Sequence, residues 1–442
     1  MTTQTSSSPE REATTAGNYF ISNYPPYSFW KTGAVPEAMA ALERPARPGV
    51  PLGIYLHIPF CRKRCHFCYF KVYTDRNSTE IRQYQDAVLQ EMEIYAGKPF
   101  VSGRKPKFIY FGGGTPSYLS SRQLIELTDG MKALFPWDEA EEVTFEAEPG
   151  TLSENKLRTL RDLGVTRLSF GVENFDERIL EINGRAHRAK EIDRAYGWAK
   201  SMDFPQINID LIAGMLEETE ANWHACVEKA ITMEPGSITI YQMEIPYNTT
   251  IYQRMKDDGK LVAPVADWET KRAWVDWAFA RLESAGYRVS SAYTAVREPE
   301  KTKFIYRDQL WRGADLMSVG VSSFSHINGT HYQNQHHLHG YFERVNAGEL
   351  PIFRALTPND EELLIRELVL QFKLGSLGVP YFREKYGVDI RERFAGQFED
   401  LAGMGVLETT PERLLLSREG LLKVDQLLPR FFLPQHQNAR YA

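Results

Sequence analysis

Between residues 51 and 325, short apolar or β-branched runs recur at 53–59, 108–112, 143–147, 167–172, 206–212 and 237–243. The stretches between them have helical spacing, as in Ile81, Tyr84, Val88, Met92 and Tyr95. A strand followed by a helix before the next strand pairs in parallel through a right-handed crossover. Six such units predict an α/β fold, a partial (β/α)6 TIM-like barrel. Further candidate strands at 287–292 and 316–322 are expected to extend or close one edge. Chemistry in parallel β/α architectures gathers at the carboxyl ends of the strands.

The first of those ends carries His57-Ile58-Pro59-Phe60-Cys61-Arg62-Lys63-Arg64-Cys65-His66-Phe67-Cys68. The C-x3-C-x2-C spacing lets one short loop wrap three thiolates around a cubane [4Fe–4S] cluster. Three ligands for four irons leave one iron open, and the amino and carboxylate groups of S-adenosylmethionine (SAM) can chelate it. The competing assignment is a zinc site using the same cysteines with His57 or His66. It lacks the second, separated ligand pair that structural zinc sites usually have. The second strand end carries Phe111-Gly112-Gly113-Gly114-Thr115-Pro116. Glycines there let backbone groups approach a ligand closely, so the carbonyls of the turn can receive an ammonium group.

The chain holds only four cysteines. Without an export signal, clustered thiols point to metal rather than disulfides. Cys226 has Trp223, Val227, Ala230 and Ile231 at helical spacing and is expected in the core. The net charge of −6 gives no excess of cations for phosphates, which argues against nucleic acid. No apolar run is long enough to span a bilayer, so no membrane association and a cytoplasmic location are expected. Arg62, Lys63 and Arg64 are either anion-holding residues or a solvated basic face.

The expected organisation is a disordered tail over 1–16 and an aromatic, Pro-rich segment over 17–50 that packs on the main body. The partial barrel runs over 51–330, a connecting loop over 331–356 and a winged-helix-like domain over 357–442. In the last of these, Thr357-Pro358-Asn359-Asp360 reads as a helix start with Pro at its first position. The histidines at 326, 331, 336, 337 and 339 read as a polar surface loop rather than a ligand set.

These motifs resemble the oxygen-independent coproporphyrinogen III oxidase family of the radical SAM superfamily. Tyr55 to Cys61 matches the family's Tyr-x-His-Ile-Pro-Phe-Cys, and residues 112 to 116 match its Gly-Gly-Gly-Thr-Pro. Ser169 to Phe175 and Asn208 to Ile212 match two further family motifs. The resemblance implies a cluster on Cys61, Cys65 and Cys68 and two SAM molecules. Tyr55, Gly113 and Glu146, with Phe324, are then contacts of the first SAM. Phe67, Gly114, Thr115, Glu173, Arg185 and Asp210, with Met243 nearby, are contacts of the second. Tyr55, His57 and Glu173 become the candidate catalytic residues. The implied partners are a small-molecule substrate and an electron donor such as flavodoxin or ferredoxin, acting on a monomer.

Two positions depart from the decarboxylating oxidases. Those enzymes carry a further cysteine two residues after the third ligand, where this chain has Phe70 following Tyr69. They have glutamine where this chain has Glu173. The Cys-His-Phe-Cys-Tyr-Phe run looks more like the branch that methylates or cyclopropanates natural products, so radical C-methylation or cyclopropanation is the leading expectation. Decarboxylation of coproporphyrinogen III is the alternative, and heme carriage by a chaperone a further one.

Overall fold

The computed structural model describes residues 12–17, 19–437 and 439. The six expected parallel strands form: β1 (Leu52–Ile58), β2 (Phe108–Gly113), β3 (Glu142–Ala147), β4 (Arg167–Glu173), β5 (Gln206–Ala213) and β6 (Ser237–Gln242). Each pairs in parallel with the next. Residues of these strands are buried in nearly unbroken runs, because helices cover one face and the barrel interior covers the other. The covering helices start where the local sequence supplies caps. Asn77 with Glu80 and Ser120 with Gln123 form reciprocal capping boxes for Ser78–Ala96 and Ser121–Leu134. Cys226 lies in the core, in the helix Glu220–Met233.

The sheet is larger than the six runs. Beyond β6 lie the short antiparallel strands β7 (Arg288–Val289) and β8 (Thr294–Val296). On the other side β9 (Asp315–Val319) pairs in parallel with β1. It is followed by antiparallel β10 (Phe324–Ile327), β11 (Thr330–Asn334) and β12 (Ile352–Leu356). The strand order is β12-β11-β10-β9-β1-β2-β3-β4-β5-β6-β8-β7, so the sheet grows at both edges instead of one.

Residues 331–356 are therefore not a connecting loop but β11, the helix Leu338–Asn346 and β12. His326 and His331 are correspondingly not on a surface loop. They are buried cross-strand partners whose rings stack at 4.5 Å, and Trp30 stacks on His331. The polar composition of this region misled because its side chains satisfy one another indoors. Ser325 Oγ accepts from Ser318 N, and Asn334 Nδ2 donates to the buried Glu91.

A three-stranded sheet, β13 (Ser376–Gly378), β14 (Leu407–Thr409) and β15 (Arg413–Leu416), builds the C-terminal part with its helices around a second core. The helix Asp360–Phe372 is capped by Asn359 in a box with Glu362, so Pro358 precedes the cap and is not its first residue. Ile21 and Tyr24 of the N-terminal segment insert into this second core. Of the expected tail, residues 1–11 lie outside the described residues. Residues 12–16 are tied down: Trp268 N donates to Glu12 O, and Ala263 N donates to Thr14 O. Among the described residues no helix is long and apolar enough to cross a membrane.

Candidate active site

The loop that follows β1 is fixed from several sides. Cys61 N donates to Tyr73 O at 3.1 Å, Tyr73 N to Pro59 O at 2.8 Å, and Cys68 N to Cys65 O at 3.2 Å. His66 N donates to Asn183 O, while Ile251 N donates to His66 O. The basic residues are partly spent as braces. Arg64 donates to the carbonyls of Cys68 (3.2 Å) and Asn248 (2.7 Å). Arg62 donates to Glu148 (3.2 Å) and the carbonyl of Ala186 (3.1 Å).

The glycine turn lies directly on this loop. Gly114 N donates to Ile58 O at 2.7 Å, and Thr115 Oγ1 donates to Cys61 Sγ at 3.2 Å. Gly113 has φ +110°, and a Cβ there would run into the His57 ring at 2.7 Å. A Cβ on Gly114 would stand 2.9 Å from Ile58 O and 3.0 Å from Cys61 Sγ. Both positions need glycine for separate reasons, backbone conformation and close approach.

A cavity of about 520 Å³ opens beside the two motifs. Into it project carboxylates from β3, β4 and β5. Glu146 accepts from Tyr110 OH at 2.7 Å and from Gly113 N at 3.1 Å. Asp210 accepts from Ser169 Oγ (2.8 Å) and Asn208 Nδ2 (2.9 Å). Glu173 lies 3.6 Å from Arg185. Burial pushes Glu146 and Glu173 up to about 7, with repulsion from Asp210 adding to it, and burial pushes Asp210 up to about 6. Three part-buried carboxylates converging on one cavity suit a ligand that brings positive charge and hydroxyl donors.

The donor set fits the cluster expected from the spacing. Cys61, Cys65 and Cys68 are all unbridged. Burial pushes Cys61 up to about 11 and Cys68 up to about 12, so these thiols become ligands only when a cation displaces their protons. Among the described residues no three Cys, His, Asp or Glu side chains are arranged around a single metal-ion position. His66 Nδ1 is 2.9 Å from the Ile182 carbonyl. Burial lowers His57 to about 4, leaving it neutral. Cysteines spread along one loop suit separate iron corners of a cubane.

The cavity wall brings together Cys61, Cys65, Cys68, Phe67, Gly113, Gly114, Thr115, Glu146, Glu173, Arg185, Asp210 and Met243. Tyr55, His57 and Phe324 are not on it. Tyr55 stacks on Tyr110, its hydroxyl 3.3 Å from His57 Nδ1, and the pair backs the glycine turn. Phe324 packs on Tyr27, a wall residue, at 4.5 Å. Other wall residues escaped the sequence reading: Tyr110, Arg167, Tyr241, Tyr293 and Phe304. Tyr110 and Tyr241 alternate with core positions on β2 and β6, a period-two signal that could have found them. Arg167, Tyr293 and Phe304 had no such signal. Tyr69 and Phe70, about 40% exposed, pack together at 4.5 Å on the wall beside the cysteine loop.

Residues 55–230 match the family model described as "Radical SAM superfamily". The chain is 28% identical over 385 residues to the heme chaperone HemW of Bacillus subtilis, covering 85% of this chain and 98% of that protein. It is 26% identical over 419 residues to the oxygen-independent coproporphyrinogen III oxidase of Escherichia coli, covering 91% and 90%. The solved structure of coproporphyrinogen III oxidase from Escherichia coli superposes with a TM-score of 0.80 at 22% identity, over 95% of this chain and 99% of that one.

Proposed function

We propose that this chain, whose residues 55–230 match the radical SAM superfamily and which is similar over most of its length to oxygen-independent coproporphyrinogen III oxidases, oxidatively decarboxylates coproporphyrinogen III. The observation that carries the proposal is the single cavity on which the cysteine loop, the glycine turn and three strand-end carboxylates meet, in a chain similar to the oxidases over about nine-tenths of its length. This moves the reading away from the C-methylation or cyclopropanation expected from the sequence, because the curated relatives named above are an oxidase and a heme chaperone.

When bound, the cluster and SAM supply a 5′-deoxyadenosyl radical that takes a hydrogen atom from the substrate. The protein's own residues bind and orient. The Gly113–Gly114 turn and Glu146 receive a ligand ammonium, with Tyr110 OH and Gly113 N fixing the Glu146 carboxylate. Glu173, Arg185 and Asp210 are the residues that would hold a second SAM. Tyr69, Phe70, Tyr241 and Tyr293 provide aromatic faces for a large conjugated ring system and keep water from the radical. Each of two propionates would give up a hydrogen atom to the radical, release CO2 and pass one electron to an external acceptor, leaving a vinyl group. The electron donor is proposed as a small acidic redox protein of the flavodoxin or ferredoxin class.

One observation favours a second reading, one-carbon transfer from the second SAM. Phe70 faces the cavity where the oxidases are expected to carry a cysteine, and Glu173 stands where they carry glutamine. Anaerobic turnover separates the two. The reconstituted chain is given dithionite, SAM and coproporphyrinogen III, and products are followed by mass spectrometry. Loss of carboxylates in step with 5′-deoxyadenosine is expected. Intact porphyrinogen beside SAM cleavage would sink decarboxylation and turn attention to one-carbon acceptors.

A further inference from the structure

Arg185 stands between the cysteine loop and the inner carboxylates. Its Nη1 donates to Cys65 Sγ at 3.2 Å and lies 3.6 Å from Glu173 Oε1, while Nη2 donates to the carbonyl of Gly171. Only 10% of the Arg185 side chain and 13% of Glu173 are exposed, so salt and water screen the triad weakly. The backbone is shaped around this contact. The register of β4 on β5 slips between Gly171 and Glu173, and Glu173 takes φ +66°, a conformation uncommon outside glycine. Gly171 supplies the room: a Cβ there would sit 3.3 Å from Arg185 Nη2 and 3.2 Å from Glu173 Oε1.

We propose that Arg185 sets the reduction potential of the cluster on Cys61, Cys65 and Cys68, and that Glu173 holds it in check. A cavity ligand that pairs with Glu173 then makes the cluster easier to reduce. Reduction adds one electron, and that negative charge is shared with the thiolates. A charge-assisted hydrogen bond from a buried guanidinium to Cys65 Sγ stabilises the reduced form and raises the potential. The Glu173 carboxylate, beside the same guanidinium nitrogen, opposes that effect when it is ionised. A cationic ligand group beside Glu173 cancels the opposition, which links electron entry to occupancy of the cavity. The idea rests on the reading of the three cysteines as cluster ligands. Arg185 is on this account a positioning residue toward the cluster, acting through Cys65.

The test is a redox titration of the anaerobically reconstituted full chain, followed by electron paramagnetic resonance, without SAM or substrate. Arg185→Gln is expected to shift the one-electron equilibrium about tenfold toward the oxidised form, about 59 mV downward. Arg185→Lys should recover part of that shift, and Glu173→Gln should move the potential upward. Unchanged potentials, or both glutamine variants moving the same way, would overturn the proposal, since a purely structural role predicts no opposition of sign. Where Arg185→Gln fails to load a cluster, Glu173→Gln decides alone, and no upward shift overturns it. A wild-type chain that takes up neither iron nor sulfide overturns this inference and the proposed function together. A loaded cluster with unmoved potentials overturns only this inference.

Discussion

Glu146 shows how one residue can carry both function and a cost. Its carboxyl is raised from 4.5 to about 7, first by burial and then by the neighbouring carboxylates of Asp210 and Glu173. A folded-state value above the unfolded one means that the folded chain binds the extra proton between about pH 4.5 and 7. The stability this gives is present at low pH and is lost as pH rises through about 7. Glu173 and Asp210 add in the same direction, to about 7 and about 6. The ligand-free protein should therefore melt at lower temperature at pH 8 than at pH 5, with a smaller drop in Glu146→Gln. Thermal scans giving identical pH slopes for both would refute this. Gly114 makes a second residue-scale prediction. Its surroundings at 2.9–3.0 Å are the backbone carbonyls of Ile58 and Phe60 and the Cys61 thiol, none of them a flexible side-chain end. Gly114→Ala should abolish cluster loading, measured as bound iron and sulfide, and loading at wild-type levels would contradict the assigned packing.

At the scale of elements, the ends of β4 and β5 are held together by one buried acid. Glu218 accepts from Gly214 N (2.6 Å), Met215 N (3.0 Å) and Asn174 Nδ2 (2.7 Å), and burial raises it to about 8. Asn174 immediately follows Glu173, so this network fixes the irregular strand end that presents the Glu173 carboxylate. Removing the donor leaves a buried acceptor short of a partner, at a cost of about 1–3 kcal/mol. Asn174→Ala should lose that much in denaturant unfolding and also bind SAM more weakly. A stability loss with unchanged SAM affinity would confine Asn174 to folding.

For the whole molecule, one carboxylate joins three parts of the chain. Asp425, from the C-terminal part, pairs with the fully buried Lys373 at 2.9 Å. It also accepts from Ile21 N (2.9 Å) in the N-terminal segment and from Tyr293 OH near the sheet edge. Breaking a buried pair from one side strands the other charge, which costs about 3–5 kcal/mol. Asp425→Ala should lose roughly that amount in chemical denaturation, since the Lys373 ammonium is fully buried, and Asp425→Asn less. A loss below about 1 kcal/mol in Asp425→Ala, the range of an exposed pair, would show the junction to be solvent-tolerant.

The sequence alone determined the features that local chemistry dictates. Six strands were legible because each is an apolar run bounded by helical spacing. The cysteine loop and glycine turn were legible because ligand spacing and missing side chains are written in consecutive residues. Glu146 and Asp210 were named through the family resemblance, and their place in apolar strand runs, by itself, does not separate them from ordinary strand-end carboxylates. Tertiary structure decided what depends on distant partners. Strands β10 to β12 carry polar side chains that only their mutual burial satisfies, so polarity looked like exposure. The contact of Arg185 with Cys65 spans 120 residues, and Asp425 meets Ile21 across 404. Neither has a local signature, because nothing in either neighbourhood fixes which residue folding will bring beside it.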